Sequence, residues 1–146
     1  MNIRTQANEL LQALCAHMEV ENISLDAEDR AELDIGGRFF VFAYSEELEE
    51  LLSLADIAPL PQTSRRKELL RELLRGTYAW AGTDGGILGL DEDRVCLSKR
   101  YRPEQEEAGA FIEKIAAQAG LVDHWRKLLT AVPHEAADLP AQAVRI

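Results

Sequence analysis

A chain of 146 residues with 47% hydrophobic residues suits one domain with a core of its own and excludes a disordered polymer. The net charge of −10 is unevenly placed: residues 1–62 carry 3 basic and 13 acidic side chains, whereas residues 63–146 carry 13 of each. Such an acidic field repels phosphate backbones and anionic bilayers, which argues against nucleic acid and membranes as partners and suits a basic or amphipathic protein.

No apolar run approaches the roughly 18 residues of a membrane helix. Glu9 and Gln12 interrupt the N-terminal stretch before it could serve as a signal peptide. The expected location is therefore the cytoplasm, or outside by a route that the N-terminus does not show. Cys15 falls on a helical pattern and Cys96 on a strand pattern, and both read as reduced, partly buried thiols.

Taken in order, residues 3–18 form an amphipathic helix: Ile3, Ala7, Leu10, Leu11, Leu14 and Met18 share one face. Residues 20–46 read as β structure. Ile23 and Leu25 alternate with polar neighbours, and Ala31, Leu33 and Ile35 alternate with Glu32 and Asp34. Gly36-Gly37 is a hairpin signal. The run Arg38–Tyr44 puts Phe39, Val41 and Ala43 on one face and Phe40, Phe42 and Tyr44 on the other. Both faces are apolar, so the strand is either covered on both sides or leaves one face for a partner.

Residues 45–58 fit two patterns. Ser45 as cap, acids in the first turn and helically spaced leucines favour a helix; alternation over Leu51–Ile57 also allows a strand. Pro59 and Pro61 end the element. Thr63 or Ser64 can cap a second helix with Leu69, Leu70, Leu73 and Leu74 on its apolar face. A turn at residues 81–86, a short strand with Ile87, Leu88 and Leu90, a turn at Asp91–Asp93 and a strand through Val95, Leu97 and Lys99 follow. Pro103 and the acids after it open the longest helix, through Phe111, Ile115, Ala119, Val122, Trp125 and Leu129. Residues 133–146, with two prolines and little periodicity, read as a loosely ordered tail behind a single domain over 1–132.

Catalytic and ligand motifs are missing. There is no Walker loop, dinucleotide fingerprint or nucleophile elbow. His17, His124 and His134 are scattered without metal-ligand spacing, and Asp91-Glu92-Asp93 lacks a calcium-loop pattern. No catalytic residue, metal or cofactor is expected. A small enzyme would need a polar, concave site with shifted pKa values.

The order helix, three strands, helix, two strands, helix resembles the class I type III secretion chaperones, small acidic dimers that bind effector proteins. The resemblance spans about residues 3–130. It is most specific in Leu69–Trp80, in Gly85-Gly86-Ile87-Leu88-Gly89-Leu90-Asp91 and in Val95-Cys96-Leu97. The Leu-rich first helix, Ile23–Asp26, Leu60-Pro61 and Trp125 before Leu128-Leu129 support it. Gly76-Thr77 stands where the family often has Ala-Asn. The resemblance implies an α+β fold with helices packed on an antiparallel sheet, and assigns Leu51–Ala58 as a strand against local propensity.

It further implies a non-enzymatic, cytoplasmic homodimer. Its partners would be the N-terminal segment of a secreted effector, kept soluble and secretion-competent, and the secretion-system ATPase. Leu10, Leu14, Met18, Ile23, Phe40 and Phe42 are the expected effector contacts. Leu70, Leu73, Leu74, Trp80 and Ile87 are the expected dimer interface. The alternative is a regulatory binding module of the same fold with no part in secretion.

Overall fold

The computed structural model of the protein describes residues 2–61, 66–77 and 85–138. Helix α1 spans Ile3–Met18. The Asn2 side-chain oxygen accepts a hydrogen bond from the Thr5 amide at 2.7 Å, satisfying one of the donors a helix start leaves over. Glu19 ends it in the left-handed region at φ 57°, its N–H returning to the Ala16 and Cys15 carbonyls. Ala7, Leu10, Leu11, Leu14 and Cys15 are buried, as a stripe at helical spacing requires.

The stretch around Ile23 and Leu25, read from the sequence as β structure, forms no strand. Its backbone groups are taken by side chains instead of a ladder. The Leu25 amide donates to Asn8 Oδ1 at 2.8 Å, and the Arg4 guanidinium donates to the Leu25 and Asp26 carbonyls. The Asp26 carboxylate accepts from the Glu28 and Arg30 amides, which holds its pKa below the usual carboxylate value.

Five antiparallel strands follow the order β1-β2-β3-β5-β4, where β1 is Arg30–Ile35, β2 Arg38–Ser45, β3 Glu50–Pro59, β4 Ile87–Asp91 and β5 Arg94–Tyr101. Strand β3 lies between β2 and β5, so the acid-rich segment with helical propensity is a strand. Ladders on both sides, with Leu51, Ser53, Ala55 and Ile57 buried, outweigh a propensity of a few tenths of a kcal/mol per residue. The register Leu33↔Phe40, Phe40↔Ala55, Ala55↔Leu97 and Leu97↔Leu88 draws one line across the inner face.

Helix α2 spans Arg66–Thr77 and α3 spans Ala108–Asp138, the latter preceded by a 3-10 turn at Pro103–Gln105. The turn takes the place expected for the first helical residues. Helix α3 runs on to Asp138, into the stretch read as a tail; residues 139–146 and the expected caps Thr63 and Ser64 lie outside the described residues.

One polar cluster fixes α3 on the sheet. Gln118 is fully buried; its amide nitrogen donates to the Leu97 carbonyl at 3.0 Å and its oxygen accepts from Ser53 Oγ at 2.6 Å. Arg126 donates to the Ile57 carbonyl at 2.8 Å, beside the irregularity between Asp56 and Ala58, where the ladder loses its regular pairing. Arg38 grips Asp123 through both ends of its guanidinium, which holds the Asp123 carboxyl below its ordinary pKa and raises that of Arg38.

Candidate functional site

Among the described residues, two apolar surfaces stand out once the core is packed. The first lies between α2 and β4. Leu70, Leu73, Leu74, Leu88, Gly89 and Leu90 line a cleft of about 310 Å³. Leu69 and Leu73 turn inward, whereas Leu74 is 71% exposed and Leu90 is also exposed. A helix whose leucines fall at i, i+1, i+4 and i+5 has a stripe too wide for one neighbour to cover.

The second surface is the outer face of the sheet. In a strand successive side chains point to opposite sides. Phe40, Phe42 and Tyr44 enter the core, so Phe39, Val41 and Ala43 face out. Leu52, Leu54 and Asp56 of β3, Cys96 and Ser98 of β5 and Ile87 of β4 share that side by register. Phe39, Val41, Leu54, Asp56, Asp91, Arg94 and Cys96 line a shallow depression of about 390 Å³. Arg94 donates to both oxygens of Asp56, at 2.7 and 2.6 Å, which raises the arginine's pKa. Burial, and then the nearby Asp56 and Asp91 carboxylates, push the Cys96 thiol pKa up and keep it a poor nucleophile.

The structure redistributes the residues expected to touch an effector. Leu10, Leu14, Phe40 and Phe42 are core residues. Their side chains belong to the buried core cluster, and of the four Leu10 also lines a shallow depression beside Pro103 and Ala108. Met18 and Ile23 are half-buried beside them at the end of α1. The apolar side chains of β2 open to solvent are those one position away, Phe39 and Val41. Because both faces of β2 are apolar, the sequence held no sign of which one would be covered.

Of the residues expected at a dimer interface, Leu70, Leu73 and Leu74 come together in the α2–β4 cleft. Ile87 does not join them. It pairs with Ser98 on the outer face, whereas Leu88 and Leu90 turn toward α2. Trp80 lies outside the described residues. Leu90 was missed as a surface residue, though its alternation with Gly89 and Leu88 carried the signal.

Apolar side chains make up most of the lining of both surfaces. Among the described residues no group of three or more His, Cys, Asp or Glu could hold a metal ion, and no helix is long and apolar enough to cross a membrane. What the surfaces can do is bury apolar side chains of another chain.

The fold recurs in solved structures. A chain of the ExsC-ExsE complex is 23% identical, with a TM-score of 0.76 over 88% of this chain and 97% of its own. A chain of the HopA1-SchA chaperone-effector complex is 17% identical, with a TM-score of 0.70 over 85% and 95%. The Yersinia pestis type III secretion chaperone SycH, in complex with a fragment of YscM2, gives 15% identity and a TM-score of 0.63 over 80% and 97%. At these identities the likeness speaks for the fold. No curated protein sequence matches the chain. Residues 9–126, from the first helix to the middle of the last, match the model of a single protein family. By that match the chain belongs to the Tir chaperone protein (CesT) family.

Proposed function

We propose that the protein is a type III secretion chaperone that binds an effector in the bacterial cytoplasm, holds the effector's N-terminal segment soluble and secretion-competent, and releases it unchanged. Family membership over residues 9–126 carries this reading. Two exposed apolar surfaces on a chain with a full core support it. Its work is binding without turnover: apolar burial supplies the energy, and the acidic N-terminal part adds solubility and steering.

In this reading two copies pair through the α2–β4 cleft, with Leu70, Leu73 and Leu74 of one copy against the other. Met18 and Ile23 belong to the effector contact, and the secretion-system ATPase receives the loaded complex. The decisive experiment is purification of the tagged chain from its own bacterium, with mass determination by light scattering. A dimer that retains one protein, exported by the secretion system only when the chain is present, is the expected result. A retained protein that is never exported would replace secretion with the regulatory alternative. A strict monomer that retains nothing would overturn the proposal.

For the pairing surface, Leu74→Asp is the sharper variant, because Leu73 is buried and its change would also unfold the helix. The variant should stay folded by circular dichroism and elute at half the mass. A dimer surviving the change would place the interface elsewhere.

A further inference from the structure

Helix α2 carries a charge pattern that neither its packing nor its apolar cleft accounts for. Its 12 residues include the cations Arg66, Lys67, Arg71 and Arg75 against Glu68 and Glu72, in a chain whose net charge is −10. Lys67, Arg71 and Arg75 recur every fourth residue, so they lie in one row along the helix, and all three are exposed. Leu69 and Leu73 enter the core from the other side.

The carboxylates that could neutralise this row are withdrawn from it. Glu68 is buried, and Glu72 is taken by Arg75 at 2.9 Å. Arg66, at the start of the helix, turns to Asp93 at 3.5 Å. Lys67 and Arg71 have no ion-pair partner among the described residues. Solubility does not call for them either. A chain at −10 is already strongly charged, and these cations bring it nearer to zero.

We propose that the row Lys67, Arg71, Arg75 is the docking site for a short carboxylate-rich segment of another protein. Charge complementarity identifies the occupant. Residues 1–62, with 13 acidic and 3 basic side chains, repel an acidic protein at large, whereas this row attracts one. The helix sets the length. A rise of about 1.5 Å per residue puts Lys67 and Arg75 about 12 Å apart, the reach of about four extended residues. A long polyanion such as a nucleic acid fits less well, because it would run past Arg66 onto Asp93 and its turn. A second copy also fits less well, because pairing through Leu70, Leu73 and Leu74 brings up the same helix with the same cations. The row adjoins that cleft and lies apart from the outer sheet face, so the proposal does not depend on the chaperone reading.

Three eight-residue peptides test this, alike except for four central residues that are all glutamate, all glutamine or all lysine. Binding to the full chain is followed by amide shifts in NMR titrations at low salt. The glutamate peptide should bind at least tenfold more tightly than the glutamine peptide, and the preference should fade as salt is raised. The shifts should centre on Lys67, Arg71 and Arg75, and the lysine peptide should leave these amides in place. Lys67→Glu with Arg71→Glu should abolish the preference for glutamate. Both side chains are exposed, so circular dichroism and melting temperature should stay those of the native chain. The exchange Lys67→Arg with Arg71→Lys should keep the preference, since charge carries the contact.

Equal binding of the glutamate and glutamine peptides, shifts centred on Phe39, Val41 and Leu54, or a preference that survives the charge reversal would each overturn the proposal. Two further results would replace the occupant and overturn it as well. An eight-nucleotide single strand that binds the row more tightly than the glutamate peptide would give the site to nucleic acid. A mass by light scattering that rises beyond a dimer with concentration, but not in the charge-reversed variant, would give it to the acidic part of a second copy. Retention of an exported protein is a separate measurement, so the chaperone reading stands or falls on its own.

Discussion

At the scale of single residues, neighbours in the chain do unlike work. Phe40 is fully buried and stacked 5.9 Å from Phe42, whereas Phe39 is open to solvent. Phe40→Ala should cost about 3–5 kcal/mol in chemical denaturation, and Phe39→Ala under about 1 kcal/mol. Gln118→Ala should cost about 1–3 kcal/mol, because the Ser53 hydroxyl and the Leu97 carbonyl would lose their buried partner. Asp123 gives a pH test. The Arg38 guanidinium depresses its pKa, so the stabilisation is fully present above the carboxylate's unfolded value of about 3.9 and is lost as pH falls through the lower folded value. Asp123→Asn should lower stability by about 0.5–1 kcal/mol at pH 7, a modest figure because the pair is partly exposed, and should flatten the stability profile below about pH 4. An unchanged acid limb would detach that pair from the pH dependence.

At the scale of elements, the sequence made some features legible and hid others for a physical reason. Helix α1 announced itself through Ala7, Leu10, Leu11 and Leu14, since a helical stripe depends only on the helix itself. What covers the stripe depends on the sheet, and so Leu10 and Leu14 could be read as a docking surface when they are core. Strand β3 shows the same limit. Its acids and leucines suit a helix, and only the ladders from β2 and β5 make it a strand; the family resemblance supplied what local chemistry could not. The resemblance set Ile87 beside the α2 leucines, but in a strand Ile87 and Leu88 point to opposite faces, and Leu88 is the one that meets α2. The segment around Ile23 alternates as a strand would, yet Arg4 and Asn8 claim its backbone first.

At the scale of the whole molecule, charge and apolar surface are sorted. The α2–β4 cleft has leucines and a glycine and no charged residue in its lining, whereas the outer sheet face is apolar with carboxylates at its margins. The proposed pairing through α2 should therefore depend weakly on ionic strength, and any docking on the sheet face strongly. Light scattering and anisotropy across a salt series read the two separately, and a dimer that dissociates in parallel with release of a segment docked on the sheet would mean that one surface serves both roles. Among the described residues, one side of the sheet carries the core, and the other leaves Phe39 and Ile87 exposed.

The alternation along β2 and β3 also determines how the protein can vary. Phe39, Val41 and Leu54 lie across the sheet from Phe40, Phe42 and Ala55, so side chains on the two faces do not meet. Substitutions on opposite faces should therefore be additive in stability, with a coupling below about 0.5 kcal/mol in a double-mutant cycle of Phe39→Ala and Phe42→Leu. A chain organised this way can be given a new recognition face, residue by residue, without renegotiating its core.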